Sequence, residues 1–464
     1  MPVVPYGACI TAEAVLQRGH QVRLVDLMFK HDPIGSVISE LRSQRPQVVG
    51  ISVRNLDNND MFQPVQYISE LVDLVRVIRK ETEAPVVLGG PAVAVMSESL
   101  LRVTGADCAV LGDGEYVYPL VLEALTKGDG LGTIPRIAWI EDGEYTVSDD
   151  RPLPLQSYPE YLAPDYHRWI DVKAYRSRMA TIPLQSKRGC PFPCVYCTYG
   201  LSEGLDYRLY HPEEVAEAIS RLASKGLRDI EFVDNVFNSP YDHALEVCRQ
   251  IALNKDRVRL QTMEINPQFL DRNLLEAMKA AGFVGMGITV ESAADAVLRG
   301  LAKGYNAEQV HNAADAIRAT DIPCLWLFLL GGPGETKETA LETVDFATEV
   351  LRPGDAAFFN VGIRIYPGTE MEKIARRENV LNLEPDDMIF PTFYFSPELD
   401  PEWTLDILHQ TARRHGSILY SALSLNHPFM PLINRVASGV GLRRPLWRHT
   451  GKIRGVLKFI GQDI

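Results

Sequence analysis

Two blocks of alternating β-rich runs and helical patterns constrain this chain more than any other feature of its 464 residues. In the first, "QVRLVDL", "IGSVISELRS", "QVVGISV", "YISELVDLVRVIRKE", "PVVLGG", "SESLLRVT", "CAVLGDG" and "YVYPLVLEAL" follow one another up to Lys127. Short strands alternating with helices predict βαβ units and an α/β fold with an open, doubly wound parallel sheet. Such sheets take ligands at the carboxyl ends of their strands. Those ends read Ser52-Val53-Arg54-Asn55-Leu56-Asp57-Asn58, Gly89-Gly90-Pro91-Ala92 and Gly112-Asp113-Gly114-Glu115. Glycines there let a large ligand approach the backbone, although each is equally an ordinary strand-to-helix turn. No G-x-G-x-x-G follows any strand, which disfavours a dinucleotide. The helical run "ACITAEAVLQRG" begins so early that little room is left for the central first strand, which is expected to be missing.

The second block, Thr181 to Pro367, offers six strand candidates: "ATIPLQS", "DIEFVDN", "VRLQTMEI", "GMGITVES", "CLWLFLLGG" and "AAFFNVGIRIYP". Helical runs such as "PEEVAEAISRLASKG" lie between them. Repeated β/α units of this kind predict a partial (β/α)6 barrel whose site lies at the C-terminal ends of the strands. Residues 128–180 read as a connector, with a hairpin "RIAWIEDGEYTVS" turning at Asp142-Gly143 and then the proline-rich "RPLPLQSYPEYLAPDY".

A chain of this length exceeds one ordinary core, and 46% hydrophobic with 23% charged residues fits a folded, soluble protein. "CLWLFLLGG" is too short to cross a bilayer, and "MPVVPYGACITAEAVLQRGH" has no basic region followed by an apolar stretch. A cytoplasmic location is the expectation. A net charge of -13 argues against broad nucleic-acid binding. Residues 411–464 nevertheless hold nine basic side chains and one acid, Asp463.

Cys9, Cys108, Cys248 and Cys324 are scattered and read as small buried hydrophobes. The other three stand together in "KRGCPFPCVYCTYG", just after the first barrel strand. Cys190, Cys194 and Cys197 have C-x-x-x-C-x-x-C spacing. Structural zinc needs four ligands, and there is no second C-x-x-C pair to complete it. A thioredoxin-like pair, Cys194 and Cys197, would leave Cys190 without a role. A four-iron cluster held by three thiolates fits better, because the iron left open can meet a substrate.

This loop, with Tyr196 in the aromatic place, resembles the signature of the radical S-adenosylmethionine (SAM) superfamily. The likeness extends over nearly the whole chain to the cobalamin-binding branch: "GHQVRLVDL", "GISVRNLDN", "VVLGGPAV" and "GDGE", then "FVDNVFN", "GITVESAADAVLRGLAKG", "LFLLGGPGET" and "RIYPGTEM". It implies a Rossmann-like cobalamin-binding domain over 1–127, a linker over 128–180, a radical SAM barrel over 181–370 and a mainly helical C-terminal substrate-capping region over 371–464. It implies a [4Fe-4S] cluster on the three cysteines. Cobalamin would lie against Ser52, Arg54, Asn55, Gly89, Gly90, Gly112 and Gly114. SAM would lie among Tyr196, Asp234, Asn235, Glu291, Ser292, Gly331 and Gly332. The common Gly-Gly-Glu after the second strand is replaced by Asp234-Asn235, and Glu291 could instead pair with Arg299 or Lys303. D-x-H-x-x-G, which places a histidine on cobalt in other corrinoid domains, is absent, and His31 reads as a loop residue.

The resemblance implies methyl transfer to an unactivated carbon or to phosphorus of a small-molecule or lipid-like substrate, with electrons from a flavodoxin- or ferredoxin-type donor. Ring closure, rearrangement or oxidation with the same cofactors is the enzymatic alternative. A non-catalytic corrinoid or cluster sensor is the alternative of another class. Methylthio transfer is disfavoured, since the N-terminal domain has only Cys9 and Cys108. In the tail, "GKIRGVLKFIG" spaces Ile453, Val456, Leu457 and Ile460 as a helix. It reads either as a docking helix or, joined to "HPFMPLINRV" and "RRPLWRH", as a basic patch for peripheral membrane contact.

Overall fold

The computed structural model describes residues 2–149, 162–254, 256–422, 442 and 444–459. In the first sheet, β1 (Val49–Ser52), β2 (Val86–Gly89) and β3 (Cys108–Val110) pair in parallel. Val86, Val87 and Leu88 are all buried, as a parallel strand covered on both faces requires. The crossover helix α3 (Ile68–Glu81) turns Ile68, Leu71, Val75 and Ile78 inward, while α4 (Pro91–Thr104) starts on Pro91 and stops at the left-handed Gly105.

The hairpin of β4 (Ile137–Glu141) and β5 (Glu144–Val147) turns on Asp142 and Gly143, both at positive φ. It does not stand in a connector. It runs antiparallel to β3 and completes a sheet of order β1-β2-β3-β4-β5, covering an edge that β3 would otherwise expose. The run Gln21–Leu27, expected as a strand, carries no regular secondary structure and pairs with no strand among the described residues. In this sheet β1 is the edge.

The second sheet gathers β6 (Ile182–Leu184), β9 (Asp229–Phe232), β10 (Arg259–Ile265), β11 (Phe283–Glu291), β12 (Cys324–Leu330) and β13 (Ala356–Val361). These are the six expected strands, neighbouring in chain order and parallel throughout. A seventh, β16 (Ile418–Tyr420), adds parallel to β13 from the region expected to be mainly helical. Three residues are too few to carry a period in sequence. Two small ribbons complete the fold: β7 (Lys187–Arg188) with β8 (Arg208–Leu209), and β14 (Ile363–Arg364) with β15 (Phe393–Tyr394).

The two sheets are joined by one continuous apolar core. Val53, Leu56, Leu88 and Leu100 of the first domain pack in the same cluster as Val195, Leu301, Leu329 and Ile365 of the barrel. At the barrel floor, the segment at Pro445 and Trp447 comes so close that a Cβ on Gly285 would lie 2.7 Å from Pro445 and 3.2 Å from Trp447. Arg444 donates to the Met179 and Ala180 carbonyls at 3.1 and 2.7 Å, and Arg454 to Ala412 and Ile418 at 3.1 and 2.9 Å. Thr450–Phe459 is helical, as its spacing predicts. Two cations assigned to a membrane patch thus serve carbonyls inside the protein; "HPFMPLINRV" lies outside the described residues. No described helix is long and apolar enough to cross a membrane.

Candidate active site

The cysteine loop leaves the C-terminal end of β6, where barrel sites form. Asp234 holds the entry to this loop. Its carboxylate accepts from the Ser186 amide at 2.7 Å and hydroxyl at 2.6 Å, and lies 3.5 Å from the buried Lys187 ammonium. Asn235 donates to Glu203 at 2.8 Å, and Glu203 in turn accepts the Gly189 amide at 3.1 Å. Both residues named for SAM therefore brace the loop that carries the cysteines. None of the three thiols is in a disulfide. They lie within electrostatic reach of one another: burial and Cys194 raise Cys190, and burial lifts Cys197 to about 12.

Among the described residues no three His, Cys, Asp or Glu side chains converge on one point as a single ion would require. A cube takes each thiolate on its own iron, so the donor set of three free, mutually close thiols and a nearby cation fits a cluster. That cation is Lys303. It donates to the Tyr196 hydroxyl at 3.1 Å and to Glu291 at 3.2 Å, while Tyr196 donates to the same Glu291 oxygen at 2.6 Å. Burial opposes the Lys303 charge, but Tyr196, Tyr305 and Glu291 more than restore it, so its pKa is raised. Glu291 thus pairs with Lys303, the alternative its sequence position left open. It sits at the end of β11 with φ 61, a left-handed conformation that non-glycine residues hold only when their surroundings enforce it.

Ser292 is fully buried and bonded to Thr343 at 2.9 Å. Gly331 and Gly332 turn their amides onto the buried Glu335 carboxylate, whose pKa burial raises to about 7 and whose second oxygen has no partner. Glu264, at the end of β10, was not singled out in the sequence. Its carboxyl is raised to about 8 by burial and by Glu291. An acid at the C-terminal end of a barrel strand was the available signal.

The first-domain loops face this mouth. Ser52, Arg54 and Asn55 are exposed, and Gly90, at φ 103, approaches so closely that a Cβ would lie 2.5 Å from the Val53 carbonyl. A Cβ on Gly112 would sit 3.1 Å from the Ser202 carbonyl, in the helix that follows Cys197. Gly114 instead packs against Thr11 of the first helix, α1 (Tyr6–Gln17). Tyr199 lies within electrostatic reach of both Glu264 in the barrel and Arg54 in the first domain. Gly90 and Gly112 are thus glycine because neighbouring backbone fills the space of a side chain, and the exposed polar Ser52, Arg54 and Asn55 at the end of β1 are what suits a large ligand such as a corrin.

Two buried ion-pair groups, neither assigned in the sequence, tie the halves together. Arg364 of β14 donates to Asp57 at 2.8 Å, with both side chains almost wholly buried. Arg188 of β7 meets Asp113 and Glu115, each at 2.6 Å, and Arg208 also binds Asp113. Burial raises the Glu115 carboxyl, whereas burial of Asp113 is outweighed by the two arginines, which lower it.

Residues 184–347 match the family model of the radical SAM superfamily, and residues 1–122 match that of the B12 binding domain. The chain thus carries the two domains, radical SAM and B12 binding, that cobalamin-dependent radical SAM enzymes combine. It is 26% identical over 379 residues to an uncharacterized methyltransferase of Pyrococcus horikoshii, covering 81% of this chain and 79% of that protein. It is 22% identical over 433 residues to the tryptophan 2-C-methyltransferase of Streptomyces laurentii, covering 79% and 71%. The solved structure of the radical SAM methyltransferase TsrM from Kitasatospora setae, with cobalamin and a [4Fe-4S] cluster bound, aligns with a TM-score of 0.85. That alignment covers 99% of this chain and 96% of TsrM at 22% identity, a likeness of fold. In this radical SAM enzyme the two matched families lie in the two domains whose loops meet at the barrel mouth.

Proposed function

We propose that this chain is a methyltransferase acting on an unactivated carbon or on phosphorus of a small molecule. When bound, cobalamin would supply a methyl carrier, and SAM at a [4Fe-4S] cluster would supply the methyl group and a radical. Cys190, Cys194 and Cys197 would hold the cluster, and Ser52, Arg54, Asn55, Gly89, Gly90 and Gly112 the corrin. Asp234 and Asn235 keep the cysteine loop in place, and Lys303 sets a positive charge beside it. Glu264 and Tyr199 interact with each other and with charges of both loops, which makes them candidates to orient a substrate. A flavodoxin- or ferredoxin-type partner would deliver the electron.

The observation that carries this reading is the meeting of the two loops: Gly112 lies against Ser202, and Tyr199 lies within electrostatic reach of both Arg54 and Glu264. Relatives named as methyltransferases, matched over most of their length, support it as well. The test is anaerobic reconstitution with iron, sulfide and cobalamin, followed by SAM carrying a labelled methyl group. Label recovered on the protein-bound corrinoid is the expected result. Deoxyadenosine formed with no label on the corrinoid would move the chain to rearrangement or oxidation chemistry. Absence of both products would point to a sensor.

A further inference from the structure

Arg188 stands two residues before Cys190, and its guanidinium reaches across to the carboxylates of Asp113 and Glu115, which follow the third strand of the other domain. Arg208 is its direct cross-strand partner in the β7/β8 ribbon, so both cations are presented at one level to one loop. Gln185 accepts from the Arg188 Nε at 3.3 Å, and the Glu203 carbonyl accepts from Arg208 at 3.0 Å. All four ionic side chains are at most one-tenth exposed. Burying four charges is unfavourable compared with apolar packing of the same volume. Such groups give instead a directional fit: Asp113 accepts hydrogen bonds from both Arg188, at 2.6 Å, and Arg208, while Glu115 lies 2.6 Å from Arg188 as an ion pair outside hydrogen-bond geometry. The apolar core shared by the domains would hold them together without it, but apolar contacts tolerate small slides that an ionic fork does not.

We infer that the Asp113, Glu115, Arg188 and Arg208 cluster fixes the register between the cobalamin loop and the cysteine loop, which makes these four positioning residues for the proposed reaction. The inference rests on that reading, because it concerns the separation of the two cofactors the reading assigns. It also gives β7 a purpose. A two-residue strand placed directly before Gly189-Cys190 transmits any movement of the first-domain loop to the cluster ligands.

The test uses the full chain loaded with cluster and cobalamin and taken by redox titration to the potential at which cob(II)alamin and the reduced cluster coexist, so that each carries an unpaired spin. Pulsed electron paramagnetic resonance then reads the distance between them, with no substrate needed. In the wild type a single narrow distribution is expected. R188K keeps the charge but cannot bridge both carboxylates. A second variant combining D113N, E115Q, R188Q and R208Q removes all four charges together and leaves polar side chains in their places. Both are expected to retain wild-type iron and cobalt contents while the distance broadens or shifts by about 1 Å, a displacement large enough to cost ~10²-fold in a positioned reaction.

An unchanged distribution in either loaded variant overturns the inference and leaves the functional reading intact. Loss of both iron and cobalt from both variants also overturns it, since the cluster would then serve folding alone. A wild type that takes up no cobalamin under these conditions defeats the functional reading and the inference with it.

Discussion

The two ends of the barrel are built with the same charged residue types put to opposite uses. At the floor, Arg352 binds Asp355 at 2.8 Å and donates to the carbonyls of Ile317, Thr320 and Ile322, while Arg444 serves Met179 and Ala180. Each cation there finishes the hydrogen bonding of backbone that would otherwise be buried and bare. At the mouth, the carboxyls of Glu264 and Glu335 are pushed to about 8 and about 7, and Glu335 keeps an unpartnered oxygen. Perturbed acids with unspent capacity mark a working surface, and saturated ion pairs a supporting one. The difference shows how one sheet serves stability at one end and chemistry at the other.

The largest expected effect is at the mouth. Replacing Cys190, Cys194 or Cys197 with alanine removes a thiolate with no neighbouring cysteine to replace it. Each variant should fail to hold a full cluster, read as iron per chain, and should form no deoxyadenosine, with a melting curve close to wild type.

Next comes Lys303→Met, which leaves the largely enclosed Glu291 without its cation. Loss of one partner of a buried pair costs about 3–5 kcal/mol, so a clear drop in Tm is expected together with weaker cluster retention. Equal Tm and iron content would show that Lys303 is not the charge that matters at this mouth.

At the floor, Arg444→Ala leaves the Met179 and Ala180 carbonyls without a donor, at a cost of about 1–3 kcal/mol. The expected signature is a lower Tm with unchanged deoxyadenosine formation once the protein is loaded. A fall in turnover without a fall in Tm would erase the proposed division between the two ends.

The effect confined to the narrowest conditions is a pH dependence at Glu264. Its carboxyl rises from an ordinary 4.5 to about 8 on folding. Between those values the folded chain binds a proton that the unfolded chain has lost, so wild-type stability falls as pH rises through that window. Glu264→Gln removes the penalty. The variant should gain on the wild type in denaturant midpoint from pH 4.5 to 8, and the two should run parallel below that window.

Much of this architecture was legible because strand and helix periods repeat. All six expected barrel strands appear in order, and the cysteine loop sits where the first of them ends. The failures have local causes. "QVRLVDL" has the composition of a strand, yet a strand exists only by pairing, and the described residues offer it no neighbour. β16 is too short to signal itself, and the β4–β5 hairpin was recognisable as a hairpin but not as the edge of the first sheet.

The site divided in the same way. Sequence spacing by itself singled out the three cysteines, because a shared loop depends on residue type and local separation. It also determined the glycine turns at strand ends, where backbone freedom is a property of the residue. Only the tertiary structure decided that Glu291 is held by Lys303 and Tyr196, that Asp234 braces Ser186, and that Arg188 reaches Asp113 and Glu115 across 75 and 73 positions of chain. Such pairings are set by desolvation and by the packing of two domains on one core, neither of which a linear order of residues contains.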